Sequence, residues 1–428
     1  MTSAPTPRRE TTLHLLFTQG DRAALQTLST DQMTYFGANV REAAHGAGWP
    51  GVLLRRLHFQ SHGEVDGVRR ADVVWHLHAD DGAALDWRPD GAWSDMQRAW
   101  ITAARTPPSN VPWTHPGWHA AALAWLDEEL TAQGRERSGE PAVLKHWQIS
   151  LLWRVPTAAG PVYFKAVPAF FGREVEVTPL LARELEGAAP PVLAADRERG
   201  FLLLEDAGDE VSRAPDLNAV MTHVAGLQRS SIPHLPGWTL RDRGPEYVLS
   251  WLEHLHSDDM LLPGQDGGLS DDEAATLRRA RPQLEAALRR LAASPIPRTL
   301  GHGDLHGGNL LTQDGRLTLL DWSDVCLTHP FLDVNPAYFF PYEQVSGDWS
   351  QHGAVLDAAR DTYLEAWTDC APPEDLRSLF ADALICGELF RALGYVDGIQ
   401  GAVEDKTEWA GAHLDHLRRV LTLLSRSL

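Results

Sequence analysis

Two histidines, an aspartate and an asparagine lie close together in the glycine-rich stretch LGHGDLHGGNLL at 300–311. These side chains are His302, Asp304, His306 and Asn309. Imidazole and carboxylate groups can bind zinc, whereas carboxylate and amide oxygens suit Mg²⁺. Aspartate and glycine are also ordinary turn residues. The stretch could therefore be a metal site, a turn or a catalytic loop, and the flanking sequence has to distinguish these.

The sequence directly after Asn309 predicts a β-hairpin. Apolar runs at 310–312 and 317–320 flank Asp314-Gly315, a dipeptide favoured in two-residue hairpin turns. Closing this hairpin brings Asn309 and Asp321 together at its open end, with Asp304 just upstream. Oxygen donors of this kind suit Mg²⁺, which usually keeps water or phosphate oxygens as its other ligands. We therefore predict that Asn309 and Asp321 hold Mg²⁺ beside Asp304, whose five-residue distance from Asn309 is typical of a phosphotransfer loop.

A zinc site built on His302, Asp304 and His306 is the competing interpretation. Residues two apart point to the same side only in an extended chain, and the glycines of this stretch disfavour such a conformation. We expect instead that His302 braces the loop through hydrogen bonds.

Composition limits the classes of function. The chain has 428 residues, a net charge of −20 and a pI of about 5.3, which argues against nucleic acid or an anionic membrane as a partner. Its three cysteines, Cys326, Cys370 and Cys386, are widely spaced, as expected of a reduced protein. No signal peptide or membrane-spanning segment is recognised. We expect a cytoplasmic protein.

The chain divides at a proline-rich stretch, 105–118, which predicts a linker. We expect a separate α/β module at 1–110, a linker helix with a small β-rich lobe at 111–206, and a mainly helical lobe at 207–428. Predicted strands occupy 149–155, 161–167 and 200–206. Predicted helices occupy 119–134, 171–185, 216–230, 245–256, 271–293 and 411–427, the last with an apolar stripe ending at Leu428. Ser270 and Glu273 have the spacing of a capping box, and Pro282 predicts a kink or a split. The arrangement is α+β.

The motif HGDLHGGN followed by LLDW resembles the aminoglycoside phosphotransferase (APH) family, a branch of the protein-kinase-like superfamily, over roughly 140–400. The resemblance implies a bilobal fold with a small β-sheet N-lobe and a mainly helical C-lobe. It also implies transfer of a phosphoryl group from ATP, with Mg²⁺, to a small-molecule hydroxyl, and makes Asp304 the catalytic base. The chain has Trp322 after Asp321, where protein kinases have Phe-Gly, which argues against a protein kinase proper.

The resemblance assigns further residues position by position. Lys165 in VYFKAV grips the phosphates, and Glu174, with Glu176 as a nearby rival, pairs with that lysine. The backbone from Glu205 to Ala207 reads the adenine edge. In THPFLDVN, Asp333 braces the catalytic loop. No GxGxxG loop is present; KHWQISLLW takes its place, and Ser150 is its best phosphate contact.

The N-terminal stretch REAAHGAGW at 41–49 faintly resembles a Nudix box. His45 and Gly46 replace the paired glutamates that bind metal in Nudix hydrolases, so pyrophosphate hydrolysis is not expected. A degenerate Nudix-like module is one interpretation, and a packing or regulatory role is the other.

The acceptor is less well determined than the chemistry. Residues 340–428 contain fifteen acidic and seven basic residues, which favours an amine-bearing, cationic acceptor. The candidate acceptor-binding carboxylates are Asp361, Glu365, Glu388, Asp397 and Glu408. Two other functions are considered as well: a non-catalytic nucleotide-binding regulatory protein, and a zinc metallohydrolase.

Overall fold

The computed structural model describes residues 8–80, 83–210, 216–339 and 353–426. The chain forms two compact units. One comprises Met1–Phe170 with Leu193–Asp206, and the other comprises Phe171–Val192 with Ala207–Leu428. The secondary structure confirms the α+β class.

The first unit begins with a five-stranded sheet of order β3-β4-β1-β2-β5. Its strands are β1 (Arg8–Gln19), β2 (Arg22–Thr30), β3 (Gly51–Val65), β4 (Val68–Ala79) and β5 (Arg88–Pro89). The β1 strand runs parallel to β4 and antiparallel to β2. Helix α1 (Val40–Gly46) carries the first six residues of the stretch that resembles a Nudix box, and α2 (Asp95–Arg105) starts at a Ser94–Gln97 capping box.

The same unit contains a second five-stranded sheet of order β6-β7-β8-β10-β9. Its strands are β6 (Ala142–His146), β7 (Leu151–Val155), β8 (Val162–Ala166), β9 (Val192–Asp196) and β10 (Phe201–Glu205). Buried residues of both sheets, among them Trp75 and Phe164, belong to one apolar core. The end of a separate module near residue 110 stays a prediction. Among the described residues, the apolar core contains side chains from both before and after that position.

Helix α3 (Pro116–Ala132) joins the two sheets along the chain. It starts inside the stretch predicted as a linker, because Pro116 stands in the first helical turn, where the missing N–H of proline costs no hydrogen bond. The linker is thus shorter than its proline content indicated.

The second unit is mainly helical. Its helices are α4 (Arg173–Glu184), α5 (Leu217–Ser231), α6 (Pro245–Leu255), α7 (Asp258–Leu261), α8 (Asp271–Ala292), α9 (Pro330–Asp333), α10 (Gly353–Glu365), α11 (Pro373–Leu393) and α12 (Ala412–Arg426). Its short strands are β11 (Asp209–Glu210), β12 (Thr299–Gly301), β13 (Leu310–Gln313), β14 (Arg316–Leu319) and β15 (Cys326–Thr328). The Ser270–Glu273 capping box is confirmed, and α8 continues through Pro282 without a split. Leu428 lies outside the described residues.

Helices α10 and α11 were not predicted. Helix α11 is continuously buried from Ile385 to Leu393, so this half of its sequence lacks the alternation of apolar and polar faces that identifies a surface helix. Among the described helices, none combines the length and the apolar character needed to cross a bilayer.

Candidate active site

The hairpin predicted after Asn309 is confirmed. Strands β13 and β14 pair antiparallel from Leu310–Leu319 to Gln313–Arg316. Asp314 and Gly315 form the turn with φ angles of 51° and 80°, the two positive values that a type I′ turn requires. The local sequence alone therefore determines this element.

The open end of the hairpin positions the two predicted metal-binding residues. The backbone N–H of Leu320 donates to the carbonyl of Asn309 at 3.1 Å, which places Asp321 one residue beyond that pair. The Asn309 side-chain amide donates to the backbone carbonyl of Asp304 at 3.0 Å. This bond uses the amide nitrogen and leaves the side-chain oxygen for a cation. An amide oxygen and a carboxylate form a donor set that fits Mg²⁺.

Asp333 supports the loop that carries Asp304. Its buried carboxylate accepts hydrogen bonds from the backbone N–H groups of His302 at 2.7 Å and Gly303 at 2.8 Å. Gly303 has a φ angle of 87°, and a Cβ atom there would lie 2.4 Å from the carbonyl oxygen of Asp324. Both the conformation and the close approach require glycine.

His302 is bound by the backbone through both ring nitrogens. Its Nε2 donates to the carbonyl of Leu320 at 2.9 Å, and its Nδ1 accepts from the N–H of Asp304 at 3.3 Å. Burial lowers the pKa of His302, with a smaller opposing effect of Asp333, and the ring is therefore neutral. The contacts leave neither nitrogen for zinc. Within the described part of the chain, no group of three or more His, Cys, Asp or Glu side chains is arranged to hold a metal ion.

Asp304 has a half-exposed side chain with two different environments at its two oxygens. Oδ1 accepts from the Arg391 guanidinium at 2.9 Å, and Oδ2 lies 3.4 Å from Nε2 of His306. Burial acts to raise the pKa of Asp304, but the hydrogen bond of His306 and the charge of Arg391 outweigh it and lower the pKa below its ordinary value. The carboxylate is ionised near neutral pH.

Arg391 is the main site residue that the sequence interpretation missed. It lies on α11, is buried, and also donates to the carbonyl of Leu305. A signal does exist in the sequence: Glu388 and Arg391 are charged residues three positions apart within the apolar run ALICGELFRAL. Buried ionisable residues of this kind usually require partners.

Another ion pair, between a buried arginine and a partly buried aspartate, lies next to the catalytic loop. Nη1 of Arg243 is 3.4 Å from Oδ1 of Asp324. Burial raises the pKa of Asp324 to about 6, against the opposing effect of Arg243. The sequence interpretation did not single out either residue.

The residues predicted to contact the nucleotide fall in both units. Lys165 is buried on β8, where it pairs in register with Leu152 and Leu202, and Ser150 is buried just before β7. The Glu205 carboxylate at the end of β10 forms an ion pair with Arg135. These residues belong to the first unit.

The other two predicted nucleotide contacts lie in the second unit. Glu174 is buried on α4, and Ala207 is buried after β10. The pairing of Lys165 with Glu174, and the nucleotide contacts of all five residues, stay predictions.

Three of the five candidate acceptor-binding carboxylates have partners within the second unit. Asp361 pairs with Arg377, Asp397 with Arg241, and Glu388 with His416. Glu365 is exposed on α10. The acidic character of this region therefore overstates the number of carboxylates that can meet a cationic acceptor.

Comparison with known proteins gives a family match. The profile of the phosphotransferase enzyme family, APH, matches residues 137–379. No curated protein matches the chain.

Several solved structures are similar at low sequence identity. A choline/ethanolamine kinase family protein from Mesorhizobium loti is 15% identical, with a TM-score of 0.47, over 70% of this chain and 95% of that one. A macrolide 2′-phosphotransferase type I is 18% identical, with a TM-score of 0.43, over 69% and 97%. A choline kinase from Streptococcus pneumoniae is 15% identical, with a TM-score of 0.45, over 72% of this chain and 99% of that one.

The family match spans more than half of the sequence and includes Asp304, Asn309, Asp321 and Asp333. The chain belongs to the phosphotransferase enzyme family.

Proposed function

We propose that this protein transfers the γ-phosphoryl group of ATP, with Mg²⁺, to a hydroxyl of a small amine-bearing molecule. The observation that carries the proposal is the arrangement of Asp304, Asn309 and Asp321. One hairpin and the loop before it bring these side chains into one region, and Asp304 keeps its side chain half exposed.

The proposed mechanism assigns one task to each residue. Bound Mg²⁺-ATP supplies the phosphoryl group and a cation that neutralises charge on the phosphate oxygens. Asn309 and Asp321 would hold the cation, and Lys165 would contact the phosphates. Asp304 orients the acceptor hydroxyl and receives its proton while the new O–P bond forms and the bond to the ADP oxygen breaks. ADP leaves with that bonding electron pair.

The lowered pKa of Asp304 is consistent with late proton transfer. A carboxylate of low basicity is a weak proton acceptor before the phosphoryl group begins to move. In a loose transition state, positioning and charge neutralisation provide most of the acceleration. Asp304 therefore acts first by orienting the hydroxyl.

The amine-bearing character of the acceptor is the less constrained part of the proposal. It is supported by the net charge of −20 and by the acidic excess of residues 340–428. A cationic molecule is attracted to a surface of this sign.

A screen of hydroxyl compounds tests both parts. The protein is incubated with Mg²⁺-ATP and a library of aminoglycosides, amino sugars and amino alcohols, together with neutral polyols of similar size. Mass spectrometry then detects products that have gained one phosphoryl group. We expect phosphorylated amine-bearing compounds from the wild type. In Asp304→Ala, turnover should fall by orders of magnitude while ATP still binds.

Two outcomes would contradict the proposal at different points. ATP binding with no phosphorylated product from any compound would favour the non-catalytic, nucleotide-binding alternative. Equal phosphorylation of neutral polyols would retain the phosphotransferase and remove the requirement for an amine.

A further inference from the structure

Arg391 contacts the predicted catalytic loop at two points. One guanidinium nitrogen donates to Oδ1 of Asp304 at 2.9 Å, and the other donates to the carbonyl of Leu305. The planar fork therefore holds both the carboxylate and the backbone of the next residue. A guanidinium is suited to this double contact because its donors have a fixed geometry.

The guanidinium is itself held in place. It lies over the ring of Tyr338, 4.0 Å from the ring centroid. The Tyr338 hydroxyl donates to Oε2 of Glu388 at 2.6 Å. Glu388 precedes Arg391 by three positions on α11, which places the two on one face of the helix. Tyr338 thus connects Arg391 to Glu388.

Two further side chains fix Glu388. Nδ1 of His416, on α12, lies 2.8 Å from Oε2, and the Asn335 side-chain amide donates to Oε1 at 3.3 Å. Burial acts to raise the pKa of Glu388, but the contacts with His416 and Tyr338 lower it. The charged form is therefore the one that the surroundings stabilise. Helices α11 and α12 are connected through this carboxylate to the loop that carries Asp304.

The two oxygens of the Asp304 carboxylate have different contacts. Oδ1 is bound by Arg391, whereas the contact of Oδ2 among the described residues is the partly exposed His306 ring, whose Nε2 lies 3.4 Å away. We propose that Arg391, held by Tyr338 and Glu388, is a positioning residue that fixes the Asp304 carboxylate so that Oδ2 faces the acceptor hydroxyl. This inference rests on the proposed function, since it assigns a role in the same phosphoryl transfer.

Replacement of Arg391 by alanine tests the inference. We expect turnover in Arg391→Ala to fall about 100-fold, the loss that a small misplacement of a catalytic group produces. The Kd of Mg²⁺-ATP should remain within about twofold of wild type, since on the proposed function Asp304 acts on the acceptor and not on the nucleotide. Free guanidinium, at concentrations too low to unfold the protein, should restore part of the turnover. Urea at the same concentration should not.

Arg377→Ala is the matched control. Arg377 lies on the same helix and pairs with Asp361 through two hydrogen bonds of 3.1 and 3.0 Å. Within the described part of the chain, it forms no hydrogen bond or ion pair with the catalytic loop. This variant should keep wild-type turnover, and guanidinium should not affect it. Arg391→Lys keeps the charge but loses the fork; it should fold and show at least a tenfold loss of turnover.

The outcomes separate the two proposals. Absence of phosphorylated product from the wild type would overturn the proposed function. Only the positioning role would be overturned if the wild type is active, Asp304→Ala is inactive, and Arg391→Ala or Arg391→Lys keeps turnover within about twofold of wild type. The positioning role would also be overturned if guanidinium does not restore turnover in Arg391→Ala and Arg377→Ala loses turnover equally. Arg391 would then contribute only to the general stability of the helix.

Discussion

The carboxylate of Asp333 accepts a 2.7 Å hydrogen bond from the backbone N–H of His302, across 31 residues of sequence. Asp333 is 3% exposed and binds the N–H of Gly303 as well. Two backbone donors that would otherwise be buried without partners are therefore satisfied by one charged group. The direction of the loop that leads to Asp304 depends on this pair of bonds.

Asp333→Asn should weaken the loop and the fold together. Asparagine places an N–H₂ group against one of the two backbone N–H donors, so at least one hydrogen bond to a charged acceptor is lost. We expect the free energy of unfolding to fall by about 2 kcal/mol, measured by urea denaturation. Asp314→Asn is the control, because asparagine suits the φ of 51° in the hairpin turn. Equal unfolding midpoints for the two variants would contradict the role of Asp333.

Asp321→Asn should raise the Mg²⁺ concentration needed for half-maximal turnover by at least about tenfold. Asp321 has a φ of 66°, a conformation that asparagine tolerates better than most residues. The substitution therefore removes the charge with little backbone strain, whereas Asp321→Ala would combine the two effects. Turnover is measured against Mg²⁺ concentration at saturating ATP.

Ser323→Ala provides the comparison for Asp321. The Ser323 hydroxyl donates to Oδ1 of Asp321 at 3.1 Å, so its loss should change the Mg²⁺ dependence less than loss of the carboxylate. An Mg²⁺ dependence of Asp321→Asn identical to that of wild type would remove Asp321 from the cation site.

The sequence predicted those parts of the site whose residues lie close together along the chain. The Asp314-Gly315 turn and its flanking apolar runs determine the hairpin, and the hairpin brings Asn309 to Asp321. Asp333 is about thirty residues from the loop it supports, and only resemblance to a family pointed to it. Arg391 is 87 residues from Asp304, and no short-range pattern relates positions so far apart.

Two differences between the predicted and the observed helices have separate physical reasons. Helix α11 is continuously buried from Ile385 to Leu393, so the periodicity that marks an amphipathic helix is absent from this half of the helix. The start of α3 within a proline-rich stretch has a different cause, because proline in the first turn of a helix is compatible with helical structure.

Lys165→Met should lower turnover by about 100-fold, the usual loss when one charged donor to a transferring group is removed. Lys165 is 7% exposed on β8, and methionine can fill the same space without the charge. Lys406→Met is the control, since Lys406 is an exposed lysine of the second unit. Steady-state kinetics with varied ATP would measure the effect. Equal kinetic constants for both variants would exclude Lys165 from the nucleotide site.

Acid should destabilise the first unit through His146. This side chain is 4% exposed, and its Nε2 donates to the carbonyl of Leu53 at 3.1 Å. Burial lowers its pKa from 6.5 to about 3, with the neighbouring His119 acting in the same direction. Because the folded state holds the ring neutral and the unfolded chain protonates it near pH 6.5, this stability is fully present above pH 6.5. It is lost progressively as the pH falls toward 3. Between pH 6.5 and 5 the free energy of unfolding should fall by about 2 kcal/mol through this effect.

In His146→Gln, which keeps a side-chain N–H donor, the free energy of unfolding should fall less over this range than in the wild type. His115→Gln, at an exposed position, should retain the wild-type dependence. Parallel curves for wild type and His146→Gln in urea denaturation at pH 7, 6 and 5 would show that His146 does not contribute to the acid sensitivity.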